Sequence, residues 1–238
     1  MSRTGSKPPA MPIRPSRVPP LQPGDRLTRA EFERRYDATP NLKKAELIEG
    51  IVYIPPPVSH TGHSNPHAQL ITWLGVYCAS TPDLTFGDNG SLRLDLDNMP
   101  QPDADLMIAP GKGGQAMIDD EGYIAGAPEL VGEVAASSVS YDLHAKLNVY
   151  RRNGVREYIV WRTQDREIDY FILREGAYDR LISAADGVIR SEVFPGLWLN
   201  SNALLAGDLG AVARTVQDGT ASADHAAFVH RLAMPGAS

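Results

Sequence analysis

Apolar and polar positions along the chain predict a mixed order of strands and helices. Thr28, followed three residues later by Glu31, forms a capping box and starts a short helix through Tyr36. Glu46-Leu-Ile48 and Ile51-Val-Tyr-Ile54 flank Glu49-Gly50, a tight β-hairpin that Pro55-Pro56-Pro57 ends. Leu70, Trp73, Leu74, Tyr77 and Cys78 recur at helical spacing, and Ser64 or Asn65 caps that helix with Pro66 in its first turn. Leu84 to Phe86 and the alternating Leu92-Arg-Leu94-Asp-Leu96 are predicted strands of a sheet with one wet face. Asp103 to Ile108 is the next strand, and Leu130 to Ala135 is apolar enough to be a buried one.

A helix follows over Tyr141 to Arg152, closed by Asn153-Gly154 as its C-terminal cap. Val155 to Trp161 is a strand, and Glu167 to Leu173 pairs with it across the polar turn Arg162 to Arg166. Tyr178 to Ile182 and Val188 to Arg190 extend the meander. Phe194-Pro-Gly-Leu197 then turns the chain into Ser201 to Leu205. Ser222 caps a helix through Phe228, Val229 and Leu232, a packed terminal helix or a candidate partner surface. The expected division is a flexible Pro/Arg-rich tail (1–24), one domain (25–205) and a helical extension (206–238).

Composition narrows the class. With 42% hydrophobic and 22% charged residues, the 238-residue chain can bury a real core. A net charge of -6 argues against a basic nucleic-acid coat, although a site built from carboxylates is acidic until a cation binds. The single Cys78 precludes an intrachain disulfide and fits a reducing compartment. No apolar run is long enough to span a membrane and no apolar leader is visible, so the expected location is the cytoplasm.

Strand periodicity puts Asp103, Asp105 and Met107 on one face, and Val131, Glu133 and Ala135 on one face of the later strand. A carboxylate in a strand as apolar as that around Glu133 is neutralised by a proton or finds a cation. A divalent metal shared with Asp103 is one solution, and an ion pair with a buried lysine or arginine is the other. Lys146 borders the apolar face of the following helix, where its stem can lie on the sheet while its ammonium reaches the carboxylates. The plainer alternative pairs it with Asp142 at i, i+4. Glu46, just before the hairpin, is a further candidate ligand or a solvated edge residue.

Other constellations are weaker. Pro66 argues against one helix carrying His60, His63 and His67, and so against a three-histidine zinc site. Gly111 to Gly114 lacks the spacing of a phosphate loop. Ser137, Asp142 and His144 have no nucleophile elbow around them. Between 142 and 166, Lys146, Arg151, Arg152, Arg156, Arg162 and Arg166 outnumber Asp142, Glu157 and Asp165 by six to three, an excess that could track a phosphate backbone.

Glu46-Leu-Ile-Glu-Gly50, Pro102-Asp103, Pro128 to Val134, Tyr141-Asp142 with Lys146 and Tyr150, Asn153 to Tyr158, and Phe194-Pro-Gly-Leu197 stand in this order. The pattern closely resembles the bacterial putative restriction endonuclease family of the PD-(D/E)XK nuclease superfamily, over roughly residues 27 to 205. The resemblance implies an α/β (mixed α+β) restriction-endonuclease-like core, a central mixed β-sheet flanked by helices, with Mg²⁺ (or Mn²⁺) on Asp103 and Glu133. It also implies DNA hydrolysis assisted by Lys146, with Glu46 as a further acidic site residue. The superfamily's Glu-x-Lys slot falls on Glu133-Val134-Ala135, where alanine cannot do the lysine's work; Lys146 is its displaced counterpart. Double-strand cleavage would favour a homodimer. The alternative is a non-catalytic nuclease fold that binds nucleic acid or a partner protein, with binding indifferent to chelator.

Overall fold

The structure, a computed structural model, describes residues 18–234. In chain order it contains α1 (Arg29–Asp37), the hairpin β1 (Glu46–Ile48) and β2 (Ile51–Tyr53), and a π-helical turn, His60–Ser64, that runs into α2 (Asn65–Cys78). Then come β3 (Leu84–Gly87), β4 (Leu92–Arg93), β5 (Ala104–Ile108), β6 (Met117–Ile118), β7 (Ile124–Ala125) and β8 (Leu130–Ala135). The helical stretch α3 (Val139–Tyr141), a π-helical turn (Asp142–Lys146) and α4 (Leu147–Asn153) leads to β9 (Glu157–Arg162), β10 (Glu167–Arg174) and β11 (Ala177–Arg180). The hairpin β12 (Val188–Arg190) and β13 (Trp198–Asn200) precedes α5 (Ser201–Ala206), α6 (Leu209–Thr220) and α7 (Ala223–Ala233).

The central sheet has six strands in the order β11-β10-β9-β8-β5-β3. Only β8 and β9 run parallel; the other pairings are antiparallel. A parallel pair needs a crossover, and the α3–α4 stretch supplies it. That crossover lies on the face carrying Val131 and Ala135, where Val139, Leu143, Leu147, Tyr150 and Tyr158 join one apolar cluster. The opposite face carries Ala104, Leu106, Leu130 and Val134. It is covered by Leu70, Trp73, Leu74 and Tyr77 of α2, with Val212 and Val216 of α6 and Phe228 and Leu232 of α7 in the same cluster. Each such side chain contributes about 1.5–3 kcal/mol on burial, so both covers hold the sheet strongly. The mixed sheet flanked by helices is as expected.

Local chemistry explains the element ends. Thr28 caps α1 by accepting from the Glu31 amide, and Gly154 closes α4 in the left-handed region, φ 85°. Glu49 and Gly50, with φ of 52° and 72°, make the hairpin turn whose twist matches its strands.

The structure departs from expectation in several places, one being that β12 pairs with β13 in a separate two-stranded sheet and does not extend the meander beyond β11. The Leu92–Leu96 run shortens to β4 because Asp95 Oδ1 accepts from Asp97 N and Asn98 Nδ2, bending the chain into a turn that leaves Leu96 exposed. Further, β4 joins β6 and β7 in a separate three-stranded sheet, and β6 and β7 were not anticipated. The α6 helix falls inside the expected helical extension but was not individually anticipated. Pro66 does not stop the helical path: it has no N–H for the Gly62 carbonyl, which instead accepts from Thr163 Oγ1 at 2.8 Å. Of the proposed N-terminal tail, residues 1–17 lie outside the described residues. Within 18–24, Leu21 is buried and the Gly24 amide donates to the Val52 carbonyl.

Candidate active site

Asp103 and Glu133 come together by register. Ala104 pairs with Gly132 and Asp105 with Val131, so extending the ladder by one residue sets Asp103 opposite Glu133. Directly opposed residues share a face. Asp103 Oδ2 accepts from the Val134 amide at 2.8 Å, which clips the start of β5 to β8. Its other oxygen, Oδ1, is buried without a hydrogen-bond donor.

Lys146 reaches the same cluster from the crossover. Its Nζ lies 2.9 Å from Glu133 Oε1, 2.8 Å from Glu46 Oε1 and 3.8 Å from Asp142 Oδ1. Tyr150 donates to Glu133 Oε1 at 2.8 Å, and the Gln101 amide donates to Glu46 Oε1 at 2.8 Å. The i, i+4 partner Asp142 is therefore the most distant of three carboxylates, and Glu46 is one of the nearest. Lys146 ends a π-helical turn, a local widening common at functional sites. Ala135 is fully buried in the apolar cluster with Val131 and Tyr158, so the usual lysine slot has no path for an ammonium.

A second group surrounds Asp103, and the sequence reading missed it. His63 Nε2 lies 3.2 Å from Asp103 Oδ2. His67 Nε2 lies 2.5 Å from the Asp103 carbonyl and 3.0 Å from Asp88 Oδ1. Lys44 Nζ stands 3.5 Å from Asp103 Oδ1. His60 stays exposed and outside the group. The signal was the i, i+4 spacing of His63 and His67, discounted because Pro66 was read as a break.

The charges are strongly perturbed. Burial alone would raise Asp103, but the His63 hydrogen bond, the Lys44 charge and the Val134 amide hold it well below the usual carboxylate range. Burial raises Glu133, the Lys146 ammonium opposes that, and the charges of Asp142, Asp103 and Glu46 push it higher. Burial disfavours the Lys146 cation, yet Glu133, Glu46 and Asp142 outweigh it and keep the ammonium protonated. Glu46, Glu133 and Asp142 are thus three buried carboxylates that share one buried lysine, while buried Asp103 pairs with the partly exposed Lys44. The excess negative charge, the donorless Asp103 Oδ1 and the carboxylate donor set all fit a divalent cation.

Two other features carry less. Arg152 is engaged by Glu49, Asp95 and Asp97, and Arg162 by Asp165, Glu167 and Asp169. Lys146, Arg152 and Arg162 of the 142–166 stretch are therefore spent on ion pairs, while Arg151, Arg156 and Arg166 make none among the described residues. A cavity of about 440 Å³ lined by Arg190, Glu192, Trp198 and Arg231 contains none of the clustered residues. Its Arg190 is tied to Asp186 and stacked on Trp198, so shape without available chemistry points there.

Sheet order, crossover and flanking helices put the chain in the mixed α/β nuclease fold class. A crystal structure described as a putative nuclease belonging to DUF820, from Anabaena variabilis ATCC 29413, shares this fold. It aligns with a TM-score of 0.50 at 12% identity, over 72% of this chain and 90% of that one. Residues 29–202 match the Uma2 family, described as "Putative restriction endonuclease", and the chain belongs to that family. No curated protein matches it. Among the described residues, no helix is long and apolar enough to cross a membrane.

Proposed function

We propose that the protein is a Mg²⁺- or Mn²⁺-dependent endonuclease that hydrolyses DNA phosphodiester bonds. The observation that supports this most is the opposition of Asp103 and Glu133 on adjacent strands, with Lys146 bonded to Glu133 and Asp103 Oδ1 left without a donor. Asp103 and Glu133 would hold the ion, which when bound neutralises the scissile phosphate and acidifies water.

The chain's own groups supply the rest. Glu46 and Glu133 clamp the Lys146 ammonium between them, so it needs no reorganisation as negative charge builds on the phosphate. Tyr150 and the Gln101 amide hold those carboxylates in turn. The partly exposed Lys44, His63 and His67 border Asp103 on the solvent side, where a phosphate would enter. Cutting both strands of a duplex would call on two copies of the chain, and a homodimer is the assembly proposed.

The test is cleavage of supercoiled plasmid, oligonucleotide DNA and RNA with Mg²⁺ or Mn²⁺, comparing the wild type with Asp103→Ala and Glu133→Ala variants checked for folding. Metal-dependent DNA cleavage lost in both variants is expected. Equal cleavage by the variants, or none with any divalent ion, overturns the reading. Salt-sensitive DNA binding indifferent to chelator, without cleavage, would favour a binding protein instead.

A further inference from the structure

The cation centre proposed at Asp103 has more around it than carboxylates. One nitrogen from each of His63 and His67 and one oxygen of Asp103 lie within 4.8 Å of one another. Ligand atoms of a single ion with bonds of about 2.1 Å stand roughly 3–3.5 Å apart, so small side-chain adjustments would close the group. The two rings sit on consecutive helical turns, centroids 5.6 Å apart, an i, i+4 arrangement that suits shared chelation.

Two buried polar atoms in this group have no hydrogen-bond partner: His63 Nδ1 and Asp103 Oδ1. Orphaned buried acceptors are costly, and such an atom calls for a missing partner. His67 Nε2 faces the Asp103 carbonyl and Asp88 Oδ1, so an ion held through that nitrogen would take the place of those contacts. Lys44, whose side chain is 26% exposed, can swing into water as a cation arrives.

We propose that His63 and His67 are nitrogen ligands of the Asp103 cation centre, so that it takes a first-row transition-metal ion in preference to Mg²⁺. Imidazole favours such ions over Mg²⁺, which demands oxygen, and affinity rises along the series from Mn²⁺ to Co²⁺. The proposal rests on the endonuclease reading for the existence of the centre and adds its ligand set and metal class.

The experiment titrates the full chain with Co²⁺ and with Mg²⁺ by calorimetry, following the visible absorption of Co²⁺. It compares the wild type with His63→Ala, His63→Gln, His67→Ala and Asp103→Asn, each checked by thermal melting. The wild type should bind Co²⁺ more tightly than Mg²⁺. The histidine variants should lose about tenfold or more in Co²⁺ affinity and shift its absorption band, with little change toward Mg²⁺. The His63→Gln variant keeps a polar side chain of similar length and separates ligand loss from unfolding. If the folded histidine variants bind Co²⁺ as the wild type does while Asp103→Asn does not, the centre is carboxylate-only; this inference fails and the endonuclease reading stands. If the wild type binds neither ion, both fail.

Discussion

Lys146 Nζ lies 2.9 Å from Glu133 Oε1, bridging the crossover to β8 inside the protein. Because Glu46 and Asp142 crowd the same ammonium, the lysine neutralises a group of acids rather than one partner. Removing it leaves buried negative charge uncompensated, a loss of about 3–5 kcal/mol. Lys146→Met should therefore be much less stable in urea, as well as inactive. Adding Glu46→Gln should recover part of the stability, with a coupling of about 0.5–3 kcal/mol. Strictly additive effects in that double-mutant cycle would show that the two side chains do not share a charge.

Ala135 offers the converse test. Its fully buried position leaves no water-filled path for an ammonium, so Ala135→Lys forces overpacking and an unpaired charge into the cluster around Tyr158. In a Lys146→Met background the change should lower stability further and restore no cleavage. Recovery of activity would mean that the superfamily's usual slot is open here and that Lys146 is not its displaced counterpart.

The sequence made the sheet and its acids readable because their signals are local. The apolar run Leu130 to Ala135 with one internal Glu133, the Asp103 strand and the Gly154 stop each depend on a few neighbouring residues. Glu46 was less legible, since what decides its role is a lysine 100 residues away that only the fold brings to 2.8 Å. The continuity of the helical path through His63 and His67 was misjudged for a local reason. Pro66 removes one helical hydrogen bond, but Thr163, just past the end of β9, occupies the freed carbonyl, and no local rule contains that threonine. The Asp95 turn likewise overrode an alternation that was otherwise correct for a strand.

Gly196 in the Phe194-Pro-Gly-Leu197 turn has a φ of 91°, and a Cβ there would meet the Gly219 carbonyl oxygen and the His225 Cβ, each at 2.9 Å. The turn is thus pressed against the end of α6 and the start of α7. Gly196→Ala combines left-handed strain with overpacking against backbone, a destabilisation of about 2–5 kcal/mol. Urea unfolding should show a shifted midpoint with an unchanged slope. A loss under about 0.5 kcal/mol would mean that the turn relaxes freely away from both helices.

His225 sits at that same junction, 5% exposed, with Nε2 2.9 Å from Thr81 Oγ1 and its ring against Tyr77. Burial lowers its pKa below the ordinary 6.5, only partly offset by a hydrogen bond to the Thr220 backbone. The unfolded chain therefore binds the proton more readily than the folded one. Stability contributed by neutral His225 is fully present above pH 6.5 and falls as pH drops through that value toward the lowered one. Thermal melts between about pH 7.5 and pH 5 should show a steeper loss for the wild type than for His225→Gln, which cannot titrate. The comparison uses the slope, so a uniform destabilisation by glutamine does not affect it. Parallel slopes would mean that His225 titrates alike in both states and that its contact with Thr81 admits the charged ring.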